Sequence, residues 1–349
     1  MTSIALGVGL LLVASGPHAH ASQAWSDGAC PPGDPLSYCL VAEGPGTWTF
    51  LDRSWTALGI LVHPGLIEIR DPYTGQTTGR VDASGPRRFT GLPAFSPDGR
   101  LLAATVDDGT LRVWEVGSGR EVWMLPSRIE GGSAAFGPDG KVLAALGSEG
   151  EVVVWDTATG TRIMAFRGFA PSTRVPIVGF SPDGRWLVGA IPWWVPAGSG
   201  QRVALASVVW DMATGHVARV FPGSVFFLPD GQLLVAEPVG ALSSMTVWDG
   251  PLGTRLREVR LPWPEAVGGL SVSPDGQYIV FGLADGTIRF WELDAGHEVA
   301  ELNLKAVLGV DPEVEFRIAE VSFSSDGELL LTAVWTPSVG RRLYRLSCG

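Results

Sequence analysis

Few side chains in this chain could carry acid–base or nucleophilic chemistry. From residue 22 onward the histidines are His63, His216 and His297, and the last two directly follow turn sequences. A catalytic triad needs His, Ser and Asp close together, and a transition-metal site usually needs several His or Cys side chains on converging loops. The sequence shows neither pattern. We therefore expect a protein that is not an enzyme, with no catalytic residues, no metal site and no cofactor.

Acidic side chains offer one further possibility, a cation held by oxygen ligands. Asp107, Asp108 and Asp285 could contribute to such a site. However, Asp108 and Asp285 each precede a glycine, and an Asp-Gly pair is a common hairpin turn. We interpret all three aspartates as turn residues. The glycine-rich stretch GVGLLLVASG near the start is not a phosphate-binding loop.

Binding chemistry is better represented, by two adjacent tryptophans. Trp193 and Trp194 lie in the segment IPWWVPAGSG, residues 191–200. Two adjacent residues of an extended segment cannot both point inward, so we expect at least one exposed indole. Exposed Trp is a frequent anchor of protein interfaces. The alternative is that this segment folds back and covers its own surroundings.

These residues are embedded in a repeat of about forty residues, a period that indicates a propeller or a solenoid. Six copies open with a turn motif: FSPDG (95–99), FGPDG (136–140), FSPDG (180–184), FLPDG (227–231), VSPDG (272–276) and FSSDG (323–327). The aspartates of the first five turns are Asp98, Asp139, Asp183, Asp230 and Asp275. Five copies close on a tryptophan: Trp114, Trp155, Trp210, Trp248 and Trp291.

Each repeat is predicted to be four short antiparallel strands. Segments such as GTLRVW (109–114) alternate apolar and polar residues with a period of two. In the PDG turns Pro fixes φ, Asp bonds back to the backbone and Gly takes a positive φ. Arg70 and Tyr344 are assigned to the position that Trp occupies in the other copies, which gives seven units.

The paired motifs resemble those of the WD-repeat family, of which this chain looks like a divergent member of bacterial type. The resemblance implies an all-β fold, a seven-bladed β-propeller of four-stranded antiparallel blades over residues 36–349. The Gly-His pair of many family members is missing, so we expect rigidity to come from aromatic and branched aliphatic packing. Because the seventh unit has only three strands, Leu36–Ala42 is predicted to pair beside Arg342–Ser347 and to close the ring.

The resemblance also implies where partners bind. In such propellers the connections between second and third strands share one face with the connections that lead to the next repeat. Two of these are unusually long, in 180–210 and in 302–317. The predicted partner-binding residues on this face are Trp193, Trp194, Arg202, Trp263, Lys305, Glu313, Arg317 and Trp335.

The expected function is a non-catalytic scaffold for protein–protein interaction. One alternative is a receptor for a small ligand such as a sugar, which would stack on the Trp193 and Trp194 indoles. The other is an enzyme of the lactonase type on a propeller scaffold, which acidic residues and an ion in a central channel would favour. Both alternatives stay open on the sequence.

Composition limits the class of partner. The 349 residues include 36 acidic and 25 basic side chains, a formal net charge of −11, with no Lys or Arg cluster that could follow a phosphate backbone. We therefore expect a protein partner and no nucleic acid. At 46% hydrophobic residues the chain can bury the core of one large domain. We expect a monomer.

The first residues differ in kind from the repeats. An apolar run, 4–15, and the Ala19-His20-Ala21 pattern predict a signal peptide over 1–21 and hence export, with a cytoplasmic protein as the alternative. Residues 22–35 are predicted to be a tether rich in Pro, Gly and Ser, and no membrane span is expected in the mature chain. Export would permit a disulfide, with Cys30 and Cys348 as the favoured pair and Cys39 as the rival partner for either; three free thiols are the alternative.

Overall fold

The computed structural model describes residues 8–9, 38–44, 49–51, 57–71, 76–83, 85–90, 93–125, 133–146, 151–166, 178–197, 200–236, 244–261, 267–307, 310–311, 315–323, 329–336 and 340–348. Their strands form six four-stranded antiparallel sheets and one five-stranded sheet. The predicted all-β class and the predicted four-stranded units are confirmed. No helix in this part of the chain is long and apolar enough to cross a membrane.

The first strands are β1 (Val8–Gly9) and β2 (Tyr38–Gly44). Sheet 1 contains β3 (Thr49–Leu51), β4 (Leu58–His63), β5 (Leu66–Arg70) and β6 (Thr77–Asp82). Sheet 2 contains β7 (Ala94–Phe95), β8 (Leu101–Thr105), β9 (Leu111–Glu115) and β10 (Glu121–Leu125). Sheet 3 contains β11 (Ala134–Phe136), β12 (Val142–Leu146), β13 (Val152–Asp156) and β14 (Arg162–Phe166).

Sheet 4 contains β15 (Val178–Phe180), β16 (Trp186–Ala197), β17 (Gly200–Asp211) and β18 (Val217–Pro222). Sheet 5 contains β19 (Ser224–Phe227), β20 (Leu233–Ala236), β21 (Ser244–Trp248) and β22 (Arg255–Arg260). Sheet 6 contains β23 (Val267–Val272), β24 (Tyr278–Leu283), β25 (Thr287–Glu292) and β26 (His297–Asn303). The helix α1 (Leu304–Val307) follows, and sheet 7 joins β27 (Arg317–Phe323), β28 (Leu329–Thr336) and β29 (Gly340–Cys348) to β1 and β2.

The turn between the first two strands of a sheet is fixed by the chemistry that the sequence predicts. In sheet 2 the carboxylate of Asp98 accepts hydrogen bonds from the Ser96 hydroxyl (2.6 Å) and the Arg100 N–H (3.2 Å). Gly99 has a φ of 69°, which an L side chain adopts only with strain. The same bond to the N–H two residues on is made by Asp139, Asp183, Asp230 and Asp275.

Strand register identifies the position that the repeat tryptophans share. Trp114, Trp155, Trp210, Trp248 and Trp291 each lie on the third strand of their sheet, opposite a Leu or Ile of the second strand. Arg70 takes this position in sheet 1, because Asp71 makes the turn hydrogen bond to Gln76 that Asp156 makes to Thr161. The assignment of Tyr344 is wrong by two residues. Phe323 pairs with Leu330 and Leu330 pairs with Leu346, so Leu346 holds the position in sheet 7.

The core lies between consecutive sheets, because alternate residues of a strand face opposite neighbours. Val113 packs in a cluster with sheet 3, whereas the adjacent Trp114 packs in a cluster with sheet 1. Similar clusters join sheets 3 and 4, sheets 4 and 5, and sheets 6 and 7. Aromatic pairs reinforce them, as in Phe166–Trp210, whose ring centres are 5.6 Å apart. One sheet therefore needs a neighbour on each face to bury its apolar side chains.

The chain divides into two compact units. One comprises residues 50–69 and 78–263, with sheets 2 to 5 and most of sheet 1. The other comprises residues 1–49, 70–77 and 264–349, with sheets 6 and 7. Within the second unit β2 pairs antiparallel with β29, from Tyr38 opposite Leu346 to Gly44 opposite Arg341. The predicted pairing of an N-terminal strand with the last strand is confirmed.

Candidate functional site

The long insertion of sheet 4 is a β-hairpin rather than the predicted loop. β16 and β17 pair without a register shift from Trp186 opposite Asp211 to Ala197 opposite Gly200. The flanking strands are much shorter, since β15 reaches only Gly189 of β16 and β18 reaches only Ala206 of β17. Residues 190–197 and 200–205 therefore form a two-stranded ribbon, which we call the arm. At about 3.3 Å per residue the arm extends roughly 25 Å past its sheet.

Three predicted binding residues lie on the arm. Trp193 pairs with Ala204 and Trp194 pairs with Val203, while Arg202 pairs with Val195. Because successive strand residues lie on opposite faces, Trp193 and Trp194 occupy different faces of the ribbon, and Arg202 shares the face of Trp193. Each face of the arm thus carries one tryptophan position.

The second long connection packs onto the turn between the second and third strands of sheet 6. The side-chain oxygen of Asn303 accepts a hydrogen bond from the Ala306 N–H and caps α1. The Leu304 N–H donates to the Gly286 carbonyl at 3.1 Å. A Cβ on Gly286 would lie 2.9 Å from the Phe316 ring and 3.3 Å from Cβ of Lys305. The connection to the next repeat thus lies at the same end of sheet 6 as this turn, as predicted.

Of the remaining predicted binding residues, three lie in the described part of sheets 6 and 7 and their connection, and two lie outside the described residues. Lys305 is half-buried on α1, and Arg317 is exposed at the start of β27, with its guanidinium 2.6 Å from the Glu315 carboxylate. The register places Trp335 of β28 directly opposite Arg317. Trp263 and Glu313 lie outside the described residues. The arm belongs to one compact unit and the other three residues to the second, so a single surface that joins them stays a prediction.

An ion-pair network that the sequence did not reveal lies at the turn between the second and third strands of sheet 2. The Arg112 side chain is only 5% exposed, and its guanidinium contacts the carboxylates of Asp108 at 2.6 Å and Glu121 at 2.8 Å. Arg87 also reaches Asp108 at 3.0 Å. Burial alone would raise the pKa of Asp108, but hydrogen bonds from Thr110 and Arg112 outweigh it and the pKa is lowered. Asp108 is therefore a structural turn residue rather than part of a cation site.

The other candidates for site chemistry have structural roles or exposed positions. Asp285 accepts hydrogen bonds from the Thr287 N–H and hydroxyl, as expected of a turn aspartate. His63 accepts a hydrogen bond at Nδ1 from the Gly65 N–H, and His216 and His297 are exposed. Within the described ranges no group of three or more His, Cys, Asp or Glu side chains is placed to hold a metal ion.

Register also bears on the cysteines. Cys39 of β2 lies opposite Arg345 of β29, three residues before Cys348. The Cα atoms of Cys39 and Cys348 are thus about 10 Å apart along the strand, beyond the reach of a disulfide. This pairing excludes the Cys39–Cys348 bridge. Cys30 lies outside the described residues, so its bond to Cys348 stays a prediction.

Sheet 4, which carries the arm, is fastened to sheet 5 by Arg219. Its Nη1 atom donates to the Gly253 carbonyl at 3.0 Å and to the Pro251 carbonyl at 3.4 Å, both in the β21–β22 turn. The guanidinium carbon also lies 4.4 Å from the centre of the Trp248 ring, close enough for a cation–π contact. Trp123 takes the corresponding position on β10, where its Nε1–H donates to Thr157 of sheet 3 at 3.1 Å.

Comparison with known proteins agrees with the repeat. Residues 90–115 and 260–292 match the model of the WD40 repeat (WD domain, G-beta repeat). These stretches include β7–β9 of sheet 2 and β23–β25 of sheet 6. The chain is also similar to cilia- and flagella-associated protein 52 of Chlamydomonas reinhardtii, with 30% identity over 148 residues. That alignment covers 38% of this chain and 23% of the relative.

Proposed function

We propose that this WD40-repeat chain is a non-catalytic scaffold that binds another protein through the arm of sheet 4 and the neighbouring connections. WD40 repeats typically serve in protein interaction. The observation that carries the proposal is the arm, which extends past both strands that flank it and carries one tryptophan position on each face. A sheet core that is already ordered lowers the entropic cost of presenting such an element to a partner.

The proposed frame for this surface is a closed seven-bladed propeller over residues 36–349, with the seven sheets as its blades. Two observations support it. Consecutive sheets share apolar clusters in each unit, as blades must. β2 supplies an outer strand to the sheet of β27 to β29, as ring closure by the N-terminal segment requires. In such a frame the arm, Lys305, Arg317 and Trp335 would share one face.

The test is capture of a partner from native extract by the purified chain. Replacing both Trp193 and Trp194 with Ala should abolish capture and leave the melting temperature unchanged, because the arm lies outside the sheet core. Leu252 offers a matched control, since it is 66% exposed. It lies in the β21–β22 turn, between the third and fourth strands of sheet 5, whereas the arm extends from the second and third strands of sheet 4. Leu252→Ala should capture the partner normally. Unchanged capture by the double tryptophan variant would refute the proposal.

The relative in Chlamydomonas adds little on the partner. Its name associates that protein with cilia and flagella, but the matched region is less than a quarter of its length. We propose for this chain only the interaction role that the repeats share. Export through the 1–21 segment is a separate proposal based on sequence alone, and cell fractionation with N-terminal sequencing of the mature chain tests it.

A further inference from the structure

The two edges of the arm differ in their free main-chain groups. Pro222 of β18 lies opposite Ala206 of β17 and has no N–H to donate. The main-chain groups of Ala206 therefore point toward β16. Since these groups alternate along a strand, those of Leu205, Val203 and Gln201 point away from β16.

The prolines of β16 give the same result independently. Pro192 lies opposite Leu205 and Pro196 lies opposite Gln201. A proline fits a paired strand only where its nitrogen faces away from the partner. Ala190, beside the end of β15, also faces outward, and beyond it the outward positions on this edge are Pro192, Trp194 and Pro196, of which only Trp194 has an N–H.

The opposite edge keeps more of its donors and acceptors. Gln201 and Val203 each present an N–H and a C=O that no described strand pairs with, because β18 ends at Pro222. Leu205 presents its N–H, while its C=O faces the Gly223 N–H, which completes the pairing of Ala206 with Pro222. Natural sheets commonly block exposed edges with proline or charge, since an open edge pairs with other strands. As far as the described strands show, the arm is blocked in this way on β16 and left open on β17.

We propose that the open edge of β17, Gln201–Leu205, binds an extended segment of a partner protein, which adds a strand antiparallel to β17 in line with β18. This inference rests on the proposed scaffold function and specifies its binding mode. Main-chain hydrogen bonds supply the affinity in strand addition, and alternate side chains supply the specificity. The partner segment pairs its own N–H and C=O groups with those of Gln201 and Val203 and with the N–H of Leu205.

The sequence of the arm indicates the chemistry of that segment. Between residues 187 and 210 Arg202 is the one charged residue, and most of the others are apolar. The fitting partner strand is therefore mainly apolar, with an acidic residue on the face of Arg202. A second copy of this chain fits less well. If two copies paired antiparallel about Arg202, the two Arg202 residues would lie directly opposite each other. If they paired about Val203, the two Arg202 residues would be diagonal neighbours. Like charges at such positions are destabilising.

The probe is a displayed library of ten-residue peptides, selected on the full chain and then measured as synthetic peptides. Val203→Pro removes one outward N–H and leaves the pairing with β16 intact, as Pro192 and Pro196 do. Val203→Thr is the matched control that keeps the N–H. We expect Val203→Pro to weaken peptide binding about tenfold and Val203→Thr to change it less than about twofold. Selected peptides should carry an acidic residue among apolar ones.

Amide hydrogen exchange on the unaltered chain supplies a second readout that no substitution can disturb. Bound peptide should protect the amides of Gln201, Val203 and Leu205 and leave that of Trp194 unchanged. The strand-addition inference is wrong if no peptide is selected, or if Trp194 rather than Val203 becomes protected. It is also wrong if only the Trp193→Ala/Trp194→Ala variant loses binding, in which case the scaffold function stands. A dimer that Val203→Pro dissociates would assign the edge to a second copy and overturn the partner-strand inference.

Discussion

Replacing Arg219 with Ala should lower the free energy of unfolding by about 2 kcal/mol, because this side chain joins sheet 4 to sheet 5. Its hydrogen bond to the Gly253 carbonyl is 3.0 Å long and has a charged donor, worth about 1.5 kcal/mol at a half-buried site. The cation–π contact with Trp248, at 4.4 Å, adds about 0.5 to 1 kcal/mol. The longer contact with Pro251 adds little. The sum corresponds to a decrease in melting temperature of about 3 °C for a chain of 349 residues.

Differential scanning fluorimetry and urea unfolding of the purified chain measure this loss. Arg219→Lys should lose about half as much, because one ammonium cannot reproduce the fork of the guanidinium. Arg185→Ala is the matched control. Arg185 also lies over a tryptophan, Trp186 at 4.6 Å, but its side chain is 58% exposed and its contact to Asp211 is 3.8 Å. That variant should lose less than about 1 kcal/mol. Equal losses for Arg219→Ala and Arg185→Ala would refute the assignment of Arg219 as an inter-sheet clamp.

Three further predictions concern turns, acid and redox state. Gly160 has a φ of 68°, and a Cβ there would lie 2.9 Å from the Trp123 ring, whereas Gly231 at 87° has open space. Gly160→Ala should therefore cost about 2 to 3 kcal/mol in urea unfolding and Gly231→Ala about 1 kcal/mol, and equal costs would contradict the contact. The hydrogen bond from Ser96 lowers the pKa of Asp98 below 3.8 in the folded chain, so the unfolded chain binds the proton first as the pH falls. This stabilisation is present above about pH 4 and is lost below it. Asp98→Asn should therefore reduce the loss of unfolding free energy between pH 5 and pH 3. An unchanged dependence of unfolding free energy on pH would count against the hydrogen bond. If the exported chain forms the Cys30–Cys348 bridge, peptide mapping without reductant should yield that linked pair, and a Cys39–Cys348 peptide would show that the β2–β29 register is wrong.

The repeat motif was enough to predict the sheets, because each motif fixes a local structure. In the PDG turns Pro restricts φ, Asp accepts a main-chain hydrogen bond and Gly adopts a positive φ. Asp98 accepts such a bond and Gly99 has a positive φ, as this chemistry requires. Arg70 was placed correctly because the residues after it keep the turn pattern of the other repeats. Tyr344 was misplaced because no such turn follows it. In sheet 7 only the pairing of Leu330 with Leu346 reveals the register.

The arm and the inter-sheet contacts could not be predicted from the sequence, for physical reasons. The spacing of the repeat placed Pro192 and Pro196 in a long connection, yet both fit a strand whose other side has no neighbour among the described strands. Whether that side is free depends on where β15 and β18 end, which no local pattern encodes. Arg219 of sheet 4 and Trp123 of sheet 2 take the same position in their repeats with different chemistry, so residue type alone gives no signal. Their shared role follows from the turn of the next sheet, thirty-odd residues further along the chain.

The most direct test of the account is site-specific photocrosslinking in native cells. A photoreactive residue at Gln201, on the open edge of the arm, should give a discrete adduct with a partner protein. The same residue at Leu252, exposed in the β21–β22 turn, should give none. Adducts from Leu252 without any from Gln201 would contradict the central claim that this chain binds its partner through the arm.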